Sequence, residues 1–235
     1  MCRKTGEPLS VRGHGRVIRR STGPCVAVEA LDVTSESRAK DELKAALDGT
    51  LLALSRAIEL RDPYTAGHQR NVSLLSEAIA KRMQLDCQRV EAVRVAGGIH
   101  DVGKIAVLAE NLCRPGPLSL GERLVLEQDP IGGYEALRNV VLPWSIDRIV
   151  LEHHDRIDGL GYPHGVSGGD ILMESRILAI ADILDALQNR RPYRSASSAE
   201  IAVKEIRREA GISLDAAVVS ACCEVLECGV FTLEF

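Results

Sequence analysis

Gly98-Ile99-His100-Asp101-Val102-Gly103-Lys104 is the stretch on which the reading of this chain turns. It follows an apolar helical run and leads into a glycine turn. It therefore sets a histidine and an aspartate side by side at a helix terminus, with a lysine one turn further on. A neutral imidazole and an ionised carboxylate are good donors for a divalent cation, and the second carboxylate oxygen can reach a second ion. The lysine suits a phosphate. By itself the pair says little, because a His-Asp dipeptide is commoner as an incidental helix end. Its company decides: His68 upstream, His153-His154 downstream, and Asp182 inside an apolar run, where a carboxylate is costly unless partnered.

On either side, apolar residues recur at helical spacing. Leu43, Ala46, Leu47, Leu51, Leu54 and Ala57 share one face of a helix between Glu42 and Leu60. Arg61-Asp62-Pro63-Tyr64 ends it, since a proline disfavours helix at the residue before it. A second helix opens near Thr65 and carries His68, Val72, Leu75, Ile79 and Met83. Asp86 is placed to cap a third, running through Val90, Val93 and Ala96 to His100-Asp101. Ser119 with Glu122 forms a capping box, and the short helix it starts is expected to end by Asp129-Pro130. Helical pieces follow over Gly133 to Asn139 and from Trp144 to His153 or His154.

The loop Asp155 to Asp170, centred on Asp158-Gly159-Leu160-Gly161-Tyr162-Pro163, is the most irregular part. Such glycine density implies unusual backbone shapes or close approach to a ligand. Arg176 to Leu187 reads as a strongly apolar helix holding Asp182 and Asp185. Arg190 to Arg194 is a basic turn, Ser197 with Glu200 a second capping box, and Ile201 to Ala210 and Leu214 to Leu226 the closing helices. Ahead of all this, Val17-Ile18 and Cys25 to Leu31 read as short strands around the turn Ser21-Thr22-Gly23-Pro24. The expected class is all-α, a helical bundle with a short N-terminal segment resembling a β-hairpin.

The 235 residues suffice for one substantial domain plus an appendage. A formal charge of −4 gives no argument for nucleic acid, since a duplex-binding domain usually carries a basic excess, and no duplex partner is expected. No apolar run reaches the roughly 18 to 20 residues of a membrane span, and no signal peptide is apparent, so a cytoplasmic location is expected. The seven cysteines lack zinc-type pairing and read as reduced, small buried residues.

His68, His100, Asp101, His153, His154 and Asp182 are six nitrogen and oxygen donors spread over several helices, the layout by which bundles build dinuclear sites. Over about residues 50 to 225 the chain resembles the HD-GYP domain, a subgroup of the HD phosphohydrolases. The matching motifs are Arg61 to His68, His100 to Lys104, His153-His154-Asp155, Asp158 to Pro163, Arg176 to Leu187 and Arg191-Pro192-Tyr193-Arg194. The resemblance implies an HD-domain bundle and a phosphodiesterase that hydrolyses cyclic di-GMP to pGpG, GMP or both. It implies two divalent ions, Fe or Mn before Zn, Ni or Mg, with mixed imidazole and carboxylate ligands. One would take His68, His100, Asp101 and Asp182; the second would share Asp101 and take His153 and His154. Asp101, Lys104 and Asp62 would serve catalysis, and Lys104, Asp185, Arg191 and Arg194 would bind substrate.

Two departures from the family pattern bear on the metals. Asp129 precedes Pro130 where a histidine usually ligates the second ion, and Tyr64 replaces the glutamate of three-metal versions. Asp155 for the usual glutamate is a milder change. Ala30 to Leu43 resembles the last strand of a PAS sensor domain and the helix leaving it; the alternative is an unrelated hairpin. The expected division is a partial PAS-like remnant over 1–38, a linker helix over 39–60, the HD-GYP domain over 61–228 and a tail over 229–235. Expected partners are cyclic di-GMP, GGDEF-type proteins through the Gly161-Tyr162-Pro163 loop, and a second copy through the linker helix, in two-component signalling. The rival readings are a degenerate binding module and an HD hydrolase acting on another nucleotide.

Overall fold

The computed structural model describes residues 8–20, 23–61, 67–107, 119–188 and 199–229. The chain divides into two compact units, residues 1–50 and 51–235. In the first, β1 (Val11–Arg20) pairs antiparallel with β2 (Gly23–Asp32), Val11 opposite Asp32 and Arg20 opposite Gly23. The hairpin runs into α1 (Thr34–Glu59). Asp32 fixes the junction, its Oδ1 accepting from both the backbone N–H (3.0 Å) and the hydroxyl (2.6 Å) of Thr34. The helix thus begins about two turns before Glu42, where the apolar spacing places its start.

The second unit takes in the last turns of α1 from Leu51. It continues with α2 (His68–Arg82), α3 (Cys87–Ile99), a 3₁₀ turn over His100–Ala106, α4 (Leu120–Leu126), α5 (Asp129–Leu137), α6 (Ile146–Glu152), α7 (Met173–Gln188), α8 (Ala199–Glu209) and α9 (Ala216–Glu227). It is a helical bundle, as the apolar periodicity predicts. Its core is aliphatic: Val72, Leu75 and Ile79 of α2, Val93 and Ala96 of α3, Val150 of α6, Leu178, Ile180 and Leu184 of α7, Ile206 of α8 and Val218 of α9 are fully buried together.

The caps are local chemistry. Asp86 Oδ1 accepts from the N–H groups of Gln88 and Arg89, both at 3.0 Å, and opens α3. Ser119 and Glu122 form the expected reciprocal box on α4. The second box lies partly outside the described residues, since Ser197 is not among them. One boundary differs from expectation. α4 stops at Leu126, ahead of Asp129-Pro130 as expected, but the next helix, α5, starts at Asp129 and not at Gly133, because a proline lacks only an N–H that the first helical turn cannot use.

α2 and α3 cross in backbone contact at Gly97, where a Cβ would lie 2.7 Å from Ser73 Cα and 2.9 Å from Ser73 N. The Ser73 hydroxyl donates to the Arg94 carbonyl across the same crossing at 2.7 Å. No helix of the described residues is long and apolar enough to cross a membrane. The described cysteines are free; Cys222 and Cys223 are buried, but Cys87 and Cys228 are exposed, so burial is not general to them.

Candidate metal centre

The start of α2, the end of α3 with its 3₁₀ turn, the start of α5, the end of α6 and the middle of α7 bring seven side chains together. They form three overlapping groups: His68, His100 and Asp101; His100, His153 and Asp182; and Asp129, His153 and His154. Within each group the donor atoms lie within 4.8 Å of one another. All seven expected metal residues are therefore in one place. His100 belongs to the first two groups and His153 to the last two, and Asp101 falls in the first.

Three rings are held from behind. His68 Nδ1 donates to Asp185 Oδ2 at 2.6 Å, His100 Nδ1 to the Gly97 carbonyl at 2.9 Å, and His153 Nδ1 to the Val150 carbonyl at 2.5 Å. Fixing Nδ1 leaves Nε2 as the inward atom, the usual way a protein presents a histidine ligand. The Nε2 atoms of all three are buried without a hydrogen-bond partner, as are both carboxylate oxygens of Asp129. His68 Nε2 lies 3.3 Å from Asp182 Oδ1 and 3.8 Å from Asp101 Oδ2, contacts that satisfy charge but not hydrogen bonding. His100 Nε2 is 3.5 Å from Asp101 Oδ1 and 3.8 Å from Asp182 Oδ1.

Electrostatics reflect three carboxylates and four imidazoles crowded out of water. Burial would raise Asp182, but the His68 and His100 imidazoles hold it well below the usual carboxylate range. Asp101 is also held low against its burial, chiefly by Lys104, whose Nζ donates to its Oδ2 at 2.7 Å. Asp129 goes the other way: burial, then the negative charge of Asp101, raise it well above normal. Burial pushes His153 down to about 4 and His154 well down, while His68 reaches about 9 because Asp182 and Asp185 outweigh its burial. A divalent cation suits such a donor set, since it would meet the orphaned Nε2 atoms and relieve the repulsion that neutralises Asp129.

Lys104 stands at the edge of the cluster, partly exposed, where an anionic ligand can reach it. Asp185 does not. It is buried at 1% exposure, with Oδ2 bonded to His68 and Oδ1 accepting from Asn71 Nδ2 at 3.0 Å, so it backs a histidine and does not face substrate. Asp62, Tyr64, Arg191 and Arg194 lie outside the described residues.

The sequence reading did not single out Asn71, one turn from His68, or Arg156, whose Nη1 donates to the carbonyls of His153 (3.2 Å) and Asp155 (3.0 Å) at the end of α6. It also missed Glu152, buried beside His153 and accepting from Leu172 N at 2.8 Å, which ties α6 to the start of α7. A polar residue one turn from, or next to, a candidate ligand was the available signal.

Comparison with known proteins agrees with the geometry. The profile of the HD domain family matches residues 53–218. The chain is 36% identical over 179 residues to the cyclic di-GMP phosphodiesterase response regulator RpfG of Xanthomonas campestris pv. campestris, covering 73% of this chain and 46% of that protein. It is 34% identical to 3'3'-cGAMP-specific phosphodiesterase 3 of Vibrio cholerae, covering 65% and 33%. It is likewise 34% identical to a cyclic di-GMP phosphodiesterase of Thermotoga maritima, covering 72% and 46%. The chain thus spans about a third to a half of the length of these relatives.

Among solved structures, the V. cholerae cyclic GMP-AMP specific phosphodiesterase V-cGAP3 aligns with TM-score 0.60 at 17% identity, over 77% of this chain and 49% of that one. The HD domain of the L. monocytogenes phosphodiesterase PgpH aligns with TM-score 0.51 at 20% identity, over 76% and 99%. At such identities the likeness is one of fold. With the family profile across most of the chain and the His-Asp clusters at its centre, the chain belongs to the HD domain family.

Proposed function

We propose that this chain is a metal-dependent phosphodiesterase that hydrolyses cyclic di-GMP to pGpG, GMP or both. The observation that carries the reading is the convergence of the partnerless Nε2 atoms of His68, His100 and His153 on the carboxylates of Asp101, Asp129 and Asp182. His68, His100, Asp101 and Asp182 would hold one cation, and Asp129, His153 and His154 a second. When bound, such a pair activates water and stabilises charge on the attacking and departing oxygens at phosphorus. Fe or Mn suits these ligands better than an ion preferring thiolates.

The chain's own residues contribute position and charge. Asp185 and the Gly97 and Val150 carbonyls orient three imidazoles before any ligand arrives, so little reorganisation remains. Lys104 would exchange its bond to Asp101 for a phosphate oxygen, and Arg191 and Arg194 would hold the remaining phosphate charge. Asp62 would assist proton movement. Residues 61–228 would form the catalytic domain, 39–60 a linker that pairs two copies, 1–38 the end of a PAS-like sensor, and 229–235 a tail. The loop around Tyr162 would meet GGDEF-type partners.

A second reading keeps the chemistry and changes the substrate, because relatives of comparable identity are named for 3'3'-cGAMP. One experiment tests both. The protein is purified under low oxygen without added metal, its metal content counted, and a panel of cyclic dinucleotides assayed after adding Mn(II) or Fe(II). Turnover fastest on cyclic di-GMP is expected. Two bound ions with no cleavage of any cyclic dinucleotide would leave a binding module instead.

A further inference from the structure

His154 differs from the other three histidines of the centre. Their rings are fixed by hydrogen bonds from Nδ1, whereas neither ring nitrogen of His154 has such a bond among the described residues. Two other rings lie against it. Its centroid is 3.9 Å from that of His153 at an interplanar angle of 40°, and 4.6 Å from that of Tyr162 at 36°.

The backbone brings Tyr162 there. Its N–H donates to the His154 carbonyl at 3.3 Å. A Cβ on Gly161 would stand 2.4 Å from that same carbonyl oxygen and 2.5 Å from both Arg156 N and Asp155 Cα, so only a glycine lets the loop lie this close. Asp155 Oδ1 accepts from Val166 N at 3.1 Å and holds the returning limb of the loop.

We infer that Gly161-Tyr162 is a positioning element for His154, and that the Tyr162 ring sets the affinity of the cation held by Asp129, His153 and His154. The inference rests on the metal-centre reading. Sandwiched between His153 and Tyr162, an imidazole that no ring-nitrogen hydrogen bond fixes among the described residues is limited in its rotation, which is the task hydrogen-bonded partners perform for the other three. The aromatic face does this work, so a phenyl ring should replace the phenol. The cation at His68, His100 and Asp101 has no part in it.

Mn(II) titration of the metal-stripped full chain tests this, with free Mn(II) read by electron paramagnetic resonance. The wild type should take up two ions. Tyr162→Leu should weaken one by about tenfold or more and leave the other unmoved, Tyr162→Phe should restore both, and Tyr162→Leu should change nothing further on a His154→Ala background. Two ions at wild-type affinity in Tyr162→Leu would overturn the inference, as would equal weakening of both or an added loss on the His154→Ala background. A wild type that binds no Mn(II) would overturn the metal-centre reading itself, and this inference with it.

Discussion

A methyl group placed on Gly103 would fall 1.9 Å from the carbonyl oxygen of Asp129 and 2.7 Å from its Oδ1. The turn that carries His100 and Asp101 therefore seats the first residue of α5 by direct backbone contact. Gly103→Ala should cost about 1–3 kcal/mol of stability through overpacking and dislodge Asp129 from the cluster. Gly98→Ala is the matched control: it lies within α3 with nothing inside 4 Å, and should be neutral or stabilising. Urea denaturation with a metal count on the folded fraction reads both effects, and equal behaviour of the two variants would refute the seating role.

Asp185 orients His68 without facing solvent. Asp185→Ala should lower metal affinity by roughly 10- to 100-fold, as loss of the partner behind a ligand histidine does. Asn71→Ala, which leaves the His68 bond in place, should cost far less. Unchanged uptake in Asp185→Ala by equilibrium dialysis would show that His68 is held by something else.

Asp129 stands where the HD-GYP pattern has a histidine. Asp129→His should preserve or raise activity, since an imidazole reaches further and relieves crowding with Asp101. Asp129→Asn should lower metal uptake while leaving the melting temperature of the metal-stripped protein little changed, because burial and Asp101 already keep that carboxyl neutral without a cation. A folded Asp129→His that binds no metal would mean that residue 129 does not stand where the HD-GYP pattern has its ligand histidine.

Glu174, at the start of α7, accepts from Arg89 Nε at 2.6 Å and Nη2 at 3.2 Å. Burial opposes its ionisation, but the Arg89 hydrogen bonds prevail and lower it below the usual 4.5. A carboxyl lowered on folding adds stability that is complete above its unfolded value and lost as pH falls through its folded one. Glu174→Gln should flatten that part of the acid limb and cost about 1 kcal/mol at neutral pH, Arg89 being half in solvent. Denaturant midpoints across the acid range measure it. An unchanged pH profile would remove the pair from the acid response.

Ligands were legible in the sequence because their chemistry is local: His100-Asp101, His153-His154 and an aspartate in an apolar helix each stand out within a few residues. Caps at Asp86 and Ser119 were legible for the same reason. What sits behind the ligands was not. His68 and Asp185 are 117 residues apart, and Asp185 offers the same carboxylate whether it faces phosphate or imidazole. The expected start of α5, at Gly133, is too late, because a proline halts a helix from within yet begins one without penalty; the packing at Gly103 shows that Asp129-Pro130 does both, following one helix and opening the next.

The crossing at Gly97 has a consequence for inheritance. Main chain rests on main chain there, with no side chain between, and the two helices that meet carry His68 at one start and His100 just beyond the other end. Aliphatic exchanges elsewhere in the interior would alter melting behaviour while this spacer keeps the gap between those imidazoles constant. Descendants of the sequence are thus free to drift in the oily middle, but not at that one small residue.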